Sequence, residues 1–305
     1  MNSGLTITVM LGGPSAEREV SLRSGAAVAS ALRGLGHTVF ELDPVDDNWT
    51  LPAGTEVVFL ALHGTYGEDG VVQARLDALG MPYTGCGAES SRVSFDKVLA
   101  KECFLKAGVP TPRFETIRDA NAPWPAGWRP PVVLKPVRQG SSVGLRFVRE
   151  VGEWSEAVRH CLEFDSEVLV EECIEGREAT VGILEDRALP TVEVRPREGV
   201  LDYRNKYTKG ATEYFCPGRF NDEVTKRIQE AGLGAFRAVG GRDYARVDVM
   251  VRETGEALVL EVNTLPGMTE TSLLPKAAAA AGLGFSDLCQ RMIELAIARG
   301  PARGA

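Results

Sequence analysis

The first third of the chain alternates short apolar segments with a helical pattern, and this alternation restricts the fold more than any other feature of the sequence. Residues 5–11, 38–42 and 56–62 read as strands, and residues 15–35 have the spacing of an amphipathic helix that ends at Gly36. Strands that are joined through helices run parallel and have both faces covered. These residues therefore predict a parallel α/β sheet.

In an open α/β sheet, ligands bind at the loops that leave the carboxyl ends of the strands. Here those loops are residues 12–15, with the sequence Gly-Gly-Pro-Ser, and residues 63–67, with the sequence His-Gly-Thr-Tyr-Gly. Glu17 follows the first loop and His63 opens the second. Both are candidate ligands, but an acid at a helix start often only complements the helix dipole, and a histidine at a strand end often only satisfies a hydrogen bond. Spacing alone leaves both alternatives open.

The rest of the chain mixes strands and helices, as α+β domains do. Asp96 is predicted to cap a helix that stops at Gly108, and the prolines of residues 110–131 predict an irregular connection. Further strands are predicted at residues 132–136, 145–148, 167–172, 179–184, 191–194, 245–251 and 257–261. Further helices are predicted at residues 97–106, 153–161, 222–239, 276–281 and 285–298. We expect three domains, at residues 1–96, 97–179 and 180–305.

The composition argues against several classes of protein. The 305 residues include 34 Lys and Arg against 42 Asp and Glu, which gives a formal net charge of −8. Without a basic stripe, the chain is not expected to bind nucleic acid. The sequence contains no run of 18 apolar residues, so no membrane span is predicted. The first residues lack the basic region of a signal peptide. Six scattered cysteines without a Cys-x-x-Cys pair predict reduced thiols and a cytoplasmic location.

Two neighbouring segments near the C-terminus carry the strongest chemical pattern. Residues 246–249 read Arg-Val-Asp-Val, residues 260–263 read Leu-Glu-Val-Asn, and a predicted turn joins them. Because side chains alternate along a strand, Glu261 and Asn263 share a face, and Asp248 lies on the strand beside them. Three oxygen donors on paired strands suit Mg²⁺, which completes its shell with water and substrate phosphates. Acids that merely face solvent are a serious alternative for Asp248 alone, and a weak one for all three residues together.

A glycine- and serine-rich segment, residues 140–144, follows Lys135 between two predicted strands. Its main-chain N–H groups and hydroxyls could close over phosphate oxygens, although it matches neither the Walker A motif nor the dinucleotide fingerprint. A flexible hairpin is the alternative, but Lys135 lies in an apolar run where a lysine needs an anionic partner. Lys97 and Lys206 are weaker candidates, because each could be a solvated surface lysine.

A third segment, residues 168–178, has a central-strand pattern followed by four acids, among them Glu171 and Glu178. An acid and main-chain groups after an apolar strand could meet a purine and a ribose. From spacing alone, an exposed hinge is favoured.

Taken in order, these motifs resemble those of the D-alanine–D-alanine ligases of the ATP-grasp superfamily. The resemblance covers essentially the whole chain. Its anchors are residues 12–21, 61–64, 67–70, 82–85, 96–97, 134–136, 140–144, 202–203, 206–207, 246–249, 261–264, 266–269 and 272–273. It implies a three-lobed ATP-grasp architecture of α/β and α+β lobes. These would be an N-terminal parallel-sheet (pre-ATP-grasp) substrate domain at 1–96, a central ATP-grasp lobe at 97–179, and a C-terminal ATP-grasp and metal-binding lobe at 180–305.

The resemblance also implies an activity, which is the ATP-dependent joining of two D-alanines for peptidoglycan synthesis. The first D-alanine carboxylate would attack the γ-phosphate to give an acyl phosphate and ADP, and the amine of the second D-alanine would then displace phosphate. ATP, two Mg²⁺ ions with Mn²⁺ as a possible substitute, and a homodimer belong to the same expectation.

Roles for individual residues follow from the resemblance as well. Nucleotide contacts are expected from Lys97, Lys135, Ser141, Ser142, Glu171, Glu178 and Lys206, and metal ligation from Asp248, Glu261 and Asn263. Stabilisation of the tetrahedral oxygen is expected from Arg246 and the Gly267 N–H. The first D-alanine would contact Glu17 and His63, and the second would contact Ser272 and the Leu273 N–H. Glu17, Ser141 and Tyr207 match a hydrogen-bonded triad, and residues 202–219 match a loop that closes over the site.

Two alternatives accompany this assignment. A ligase for another acceptor, such as D-lactate or D-serine, is the first, although Tyr207 favours an amine nucleophile because relatives that form the ester alter this loop. A nucleotide-binding protein without catalysis is the second, and its expected mark, a missing metal ligand or a missing Arg246, is not found. The sequence departs from the family pattern at two positions. Many relatives carry a bulkier residue near the adenine where this chain has Cys173, and the position of Gln139 is often occupied by an acidic residue.

Overall fold

The computed structural model describes residues 4–196 and 212–300, and its strands form three sheets. The strands are β1 (Thr6–Met10), β2 (Thr38–Leu42), β3 (Val57–Leu60), β4 (Phe114–Ile117), β5 (Val132–Pro136), β6 (Arg146–Val148), β7 (Val168–Glu172), β8 (Arg177–Leu184), β9 (Arg187–Ala188), β10 (Val192–Pro196), β11 (Thr212–Phe215), β12 (Tyr244–Val251) and β13 (Ala257–Asn263). The helices are α1 (Arg18–Gly34), α2 (Val71–Ala78), α3 (Ala88–Phe95), α4 (Lys97–Lys106), α5 (Trp154–Leu162), α6 (Asp222–Ala238), α7 (Leu273–Ala280) and α8 (Phe285–Arg299), and a 3-10 turn covers Val151–Glu153.

The N-terminal sheet has the strand order β2-β1-β3, and both pairs are parallel. Ile7 and Phe59 belong to a core with α1 and α8, whereas Met10 and Leu60 belong to a second core with α2. Side chains of β1 and β3 thus alternate between two helical layers, and burying each large apolar side chain stabilises the fold by about 1.5–3 kcal/mol. The predicted parallel sheet with covered faces is confirmed.

The central sheet has the order β4-β7-β5-β6, and all its pairs are antiparallel. Helix α5 packs against it around Trp154, Val158 and Leu134. The prediction of an irregular connection over residues 110–131 was wrong for β4. This strand lies at the edge of the sheet and pairs only with β7, so prolines on either side are tolerated.

The C-terminal sheet has the order β11-β10-β8-β12-β13, with β9 paired to β8, and all its pairs are antiparallel. Helix α6 contacts β8, β12 and β13, and α7 contacts β8, β10 and β12. Helix α4 also joins this core, through Ala100 and Phe104. The boundary predicted after residue 179 falls within β8, and the division into three domains stays a prediction.

Local sequence signals were accurate at some helix ends and absent at others. Asp96 caps α4 as predicted, accepting hydrogen bonds from the N–H groups of Val98 at 3.0 Å and Leu99 at 3.1 Å. Helices α2 and α3 were not predicted. Helix α3 buries three serines, which have modest helix propensity, and it forms because tertiary packing overrides that preference.

In the part of the chain that the structure describes, no helix is long and apolar enough to cross a bilayer. All six cysteines fall in this part, and none forms a disulfide.

Candidate active site

A cleft of about 770 Å³ lies between the central and C-terminal sheets. This volume is typical of a site for a small organic ligand or cofactor, which ranges over about 300–1,000 Å³. Apolar side chains from both sheets line it, among them Val133, Phe147, Met250 and Leu260. The charged residues that line it include Lys97, Lys135, Glu171, Glu178, Asp248 and Glu261.

Strands β12 and β13 bring the three predicted metal ligands together. Arg246 pairs with Asn263 and Asp248 pairs with Glu261, so the four side chains share one face of the sheet. The register shifts after Asp248, where the pairing skips Leu260. Such bulges re-aim side chains, and they are common beside active sites.

The donor set on this face fits a hard divalent cation. Asp248 is buried, and it accepts hydrogen bonds from Arg246 Nε at 2.8 Å and from Asn263 Nδ2 at 3.1 Å. Within residues 4–196 and 212–300, there is no group of three or more histidine, cysteine or acidic side chains that could hold a metal ion. An ion here would therefore need the Asn263 amide oxygen beside the two carboxylates, and oxygen donors of this kind suit Mg²⁺.

The serine- and glycine-rich loop between β5 and β6 adopts a tight backbone. Ser141 and Ser142 have φ values of 48° and 60°, in the left-handed region, where a non-glycine residue costs about 1–2 kcal/mol. Strain of this kind concentrates at ligand-binding loops. Lys97 Nζ donates to the Gln139 carbonyl at 2.5 Å and so ties α4 to the loop. Burial lowers the pKa of Lys97 below its ordinary value.

Behind this loop, two lysines share one glutamate. Glu171 is 2% exposed, its Oε1 lies 2.5 Å from Lys101 Nζ, and its Oε2 accepts from Lys135 Nζ. Burial alone would raise the pKa of Glu171, but the two ammonium groups hold it below the ordinary value. The exposed hinge favoured by spacing is wrong at Glu171, because the strand β7 carries it into the interior. Glu178, on β8, lines the other side of the cleft.

Glu17 connects the loop to the N-terminal sheet. It precedes α1 and makes no side-chain capping hydrogen bond. Its Oε1 instead accepts a hydrogen bond from the Ser141 hydroxyl, 124 residues away in sequence. A Cβ at Gly140 would overlap Glu17 Oε2, so a larger residue there would have to displace the Glu17 carboxylate, the flexible end of its side chain.

The loop after β3 carries His63 and Glu68 and brings them close to Glu17. His63 is buried, its Nε2 is 3.2 Å from the Ser24 hydroxyl, and burial lowers its pKa to about 4. Glu68 Oε2 accepts from the Gly64 N–H at 2.6 Å. Burial raises the pKa of Glu68 to about 8, and the nearby Glu17 charge adds to the shift. Burial therefore favours the neutral form of both groups.

The loop after β13 carries the remaining predicted residues. The Ser272 hydroxyl accepts from the Thr269 N–H at 3.1 Å and lies next to Gly267, where a Cβ would be 3.0 Å from it. Ser272 is the N-cap of α7, so the Leu273 N–H belongs to the first turn of that helix. The N–H groups of a first turn have no partner within the helix, and they attract carboxylates and phosphates.

Lys206 and Tyr207 lie outside the described residues, as does most of the predicted closing loop at 202–219. Gln139 donates from Nε2 to the Phe164 carbonyl at 3.0 Å, and Cys173 lines the cleft.

Sequence reasoning gave no role to two residues that the structure brings to this region, Lys101 and Glu68. Lys101 follows Lys97 by one helical turn and falls among the buried positions of α4, and that spacing could have revealed it. Glu68 had no comparable local signal, because its neighbours come from distant segments.

Comparison with known proteins places this geometry in context. The family model described as "D-ala D-ala ligase C-terminus" matches residues 104–294, and the model described as "D-ala D-ala ligase N-terminus" matches residues 37–86. A D-alanine–D-alanine ligase of Methylacidiphilum infernorum is 45% identical over 298 residues, which cover 98% of this chain and 97% of that protein.

Solved structures agree with the sequence comparison. A crystal structure of D-alanine–D-alanine ligase from Bacillus anthracis has a TM-score of 0.87 and 34% identity, and the match covers 97% of this chain and 98% of that one. A structure of the same protein complexed with ATP has a TM-score of 0.84 and 33% identity over the same shares of the two chains.

Proposed function

The chain belongs to the D-alanine–D-alanine ligase family and is an ATP-dependent ligase, and on that premise we propose how its own residues carry out the reaction. ATP binds in the cleft between the central and C-terminal sheets, with its phosphates towards the loop at residues 140–144. Two D-alanines bind between that loop, the N-terminal sheet and the start of α7. The product, D-alanyl-D-alanine, serves peptidoglycan synthesis.

The nucleotide contacts a set of residues that line or border the cleft. Lys97 and Lys135 supply fixed positive charge for the phosphates, and the backbone of Ser141 and Ser142 covers them. Glu178 on β8 faces the ribose. The adenine lies near Glu171, whose carboxylate is already paired with two lysines. Lys206 adds a further cation to the same proposal.

Asp248, Glu261 and Asn263 would hold two Mg²⁺ ions, for which Mn²⁺ would be a substitute. Ions held there would neutralise phosphate charge and so favour attack by a carboxylate, which is itself an anion.

The reaction proceeds in two steps. The carboxylate of the first D-alanine attacks the γ-phosphorus of ATP and displaces ADP, which gives an acyl phosphate. The amine of the second D-alanine then attacks the acyl carbon, and phosphate leaves. Arg246 and the Gly267 N–H donate hydrogen bonds to the oxygen that becomes negative in this second step.

The substrates are held by groups on both sides of the loop. Glu17 pairs with the ammonium of the first D-alanine, and neutral His63 lies near its carboxylate. Ser272 and the Leu273 N–H bind the carboxylate of the second. With Tyr207, the pair Glu17 and Ser141 links the first subsite to a closing segment, which protects the acyl phosphate from water.

The hydrogen bond from Ser141 to Glu17 is the observation that best supports this arrangement. It joins the predicted phosphate loop to the predicted amino-acid subsite across 124 residues of sequence. A protein that only bound nucleotide would have no need to couple these two segments.

The test is release of phosphate from ATP that depends on D-alanine and Mg²⁺, with identification of the product. We expect D-alanyl-D-alanine at pH 7 from D-alanine alone and in mixtures with D-lactate or D-serine, and no dipeptide from L-alanine. Preferential ester or mixed-dipeptide formation would establish another acceptor. Nucleotide binding without phosphate release under saturating conditions would leave a binding protein.

We also propose a homodimer and a cytoplasmic location. Both rest on resemblance to the family, and the location also agrees with six cysteines that form no disulfide. Light scattering during gel filtration measures the mass in solution, for which two copies of the 32.9 kDa chain are expected.

A further inference from the structure

Lys101 is a buried lysine that no step of the proposed reaction uses. It lies on α4 one turn after Lys97, so the two side chains leave the helix on the same side. Its side chain is 1% exposed, and unlike Lys97 it does not line the cleft. An ammonium group is rarely placed in the interior unless it is paired.

Three oxygen atoms surround the ammonium group of Lys101. Nζ lies 2.5 Å from Glu171 Oε1, 2.6 Å from the Thr111 hydroxyl and 3.5 Å from the Pro112 carbonyl. The first contact is an ion pair, the second is a hydrogen bond, and the third lies at the outer limit of hydrogen-bond distance. The Thr111 hydroxyl in turn donates to the Val259 carbonyl on β13 at 2.8 Å.

Glu171 lies between Lys101 and Lys135, and its two oxygens are divided between them. Burial lowers the pKa of Lys101 below its ordinary value, and the Glu171 carboxylate opposes that shift. With both lysines protonated, two ammonium charges and one carboxylate give the cluster a net charge of +1. Lys135 is the member that lines the cleft, with a side chain 14% exposed. If Lys101 were uncharged, Glu171 would cancel the charge of Lys135, and the cluster would present no net charge to a ligand.

We propose that Lys101 is a positioning residue for the nucleotide: it neutralises Glu171 from behind, so that the charge of Lys135 stays available to the triphosphate. The inference rests on the proposed function only in taking ATP as the occupant of the cleft. Because the charges lie in a poorly solvated interior, their mutual attraction is far stronger than it would be in water. Glu171 and the phosphates therefore compete for Lys135.

A purely structural role makes a different prediction. A buried ion pair often adds little to stability compared with a well-packed apolar side chain of similar length. If packing were the only purpose, Lys101→Met would change stability but would not change how well the protein distinguishes a triphosphate from a nucleoside.

The experiment measures the dissociation constants of ATP and adenosine in Mg²⁺, by competition with a fluorescent ATP analogue. The ratio of the adenosine constant to the ATP constant isolates the contribution of the phosphates. In Lys101→Met we expect this ratio to fall about tenfold, which is about 1.4 kcal/mol. Adding Glu171→Gln to this variant should restore the ratio, because it removes the carboxylate that captures Lys135.

A single variant serves as the control. Lys106→Met makes the same change at an exposed position of α4, and it should leave the ratio as in the wild type.

An unchanged ratio in Lys101→Met would overturn the proposal, and so would a double variant that fails to recover. If Lys101→Met does not fold, Glu171→Gln alone decides, because two lysine charges should then raise the ratio and no rise would overturn the proposal. These binding measurements do not depend on ligation. A wild-type protein that binds ATP but releases no phosphate with D-alanine would contradict the proposed function and leave this inference intact.

Discussion

The two ends of the active site treat buried ionisable groups in opposite ways. At the nucleotide end, Glu171 is paired with Lys101 and Lys135, and this pairing keeps the pKa of Glu171 low and that of Lys135 above its ordinary value although burial opposes both shifts. At the amino-acid end, burial lowers the pKa of His63 to about 4 and raises that of Glu68 to about 8. Pairing therefore overrides burial at Glu171 and Lys135, although burial lowers the pKa of Lys97 and Lys101 at the same end, whereas burial dominates at His63 and Glu68.

This difference agrees with the ligands that the two ends are proposed to bind. A triphosphate brings several negative charges, so its site needs cations, and Lys135, whose pKa lies above its ordinary value, supplies one. A D-alanine brings one charge of each sign, so its site needs one counter-charge, from Glu17, and neutral hydrogen-bonding groups around it. Arg246 lies where the two ends meet, since its charge acts on His63 and Glu68 as well as on Asp248.

The largest effect is expected at the nucleotide end, from Glu261→Gln. Loss of one negative charge between the proposed metal ions should lower turnover on the order of a thousandfold, because metal ions supply several kcal/mol of transition-state stabilisation. The D-alanine concentration required for half-maximal rate should change far less. Steady-state rates with varied D-alanine measure both quantities.

Glu253→Gln is the matched control, since it makes the same substitution at the exposed turn of the same β-hairpin. Its turnover should equal that of the wild type. Near-wild-type turnover in Glu261→Gln would remove this residue from the proposed metal site. The nucleotide end would then not depend on the charge of Glu261.

The next effect tests the neutral character of the amino-acid end. The pKa of His63 is about 4 in the folded protein against an ordinary 6.5, so the unfolded chain takes up the proton first as the pH falls. The ligand-free protein should therefore lose about 3 kcal/mol of unfolding free energy from this residue between pH 6.5 and 4. Urea unfolding across this range should show the loss in the wild type relative to His63→Gln.

Glu68 contributes the opposite slope. Its pKa is about 8 when folded against an ordinary 4.5, so its contribution to stability falls as the pH rises between these values. The charged groups that face Glu68 include Glu17, Lys97, Arg246 and Glu261. His63→Gln should therefore leave a stability that decreases with pH above 4.5. Parallel curves for the wild type and His63→Gln between pH 6.5 and 4 would show that His63 is not held neutral.

The sequence predicted features that depend on neighbours in the chain better than features that depend on distant contacts. The hairpin carrying Asp248 and Glu261 and the cap at Asp96 follow from spacing within about 20 residues. The burial of Glu171 could not be predicted this way, since its partners Lys101 and Lys135 lie on other elements. Resemblance to a family supplied the link between Glu17 and Ser141, which no local rule contains.

A smaller effect is expected where the two ends touch, from Gly140→Ala. The new methyl group would displace the Glu17 carboxylate, the flexible end of a side chain, so the fold should survive while the proposed ammonium site is disturbed. We expect the D-alanine requirement to rise about tenfold, or about 1.4 kcal/mol, with little change in ATP affinity. Gly152→Ala, where a Cβ would meet nothing within 4 Å, should leave both constants unchanged. An equal loss of ATP and D-alanine binding in Gly140→Ala would mean that the loop moves as a whole, and the two ends would then not be separable at this point.

The smallest effect is expected from the N-cap of α4, the helix that carries Lys97 and Lys101. A variant of this cap tests whether the nucleotide end depends on the start of α4 while the amino-acid end does not. Asp96→Ala removes the acceptor for the N–H groups of Val98 and Leu99 and should cost about 1 kcal/mol of unfolding free energy. Fraying of the first turn should also loosen the contact of Lys97 with the Gln139 carbonyl, so ATP affinity should fall a few-fold while the D-alanine requirement stays constant.

Asp96→Asn keeps a capping acceptor and should recover most of the stability, although it gives up the charge that faces Arg138 at 3.3 Å. Urea unfolding and ATP titration of both variants measure these changes. If the D-alanine requirement rises together with the loss of ATP affinity, the start of α4 supports both ends of the site. The two ends would then not be independent, although they differ in how they hold buried ionisable groups.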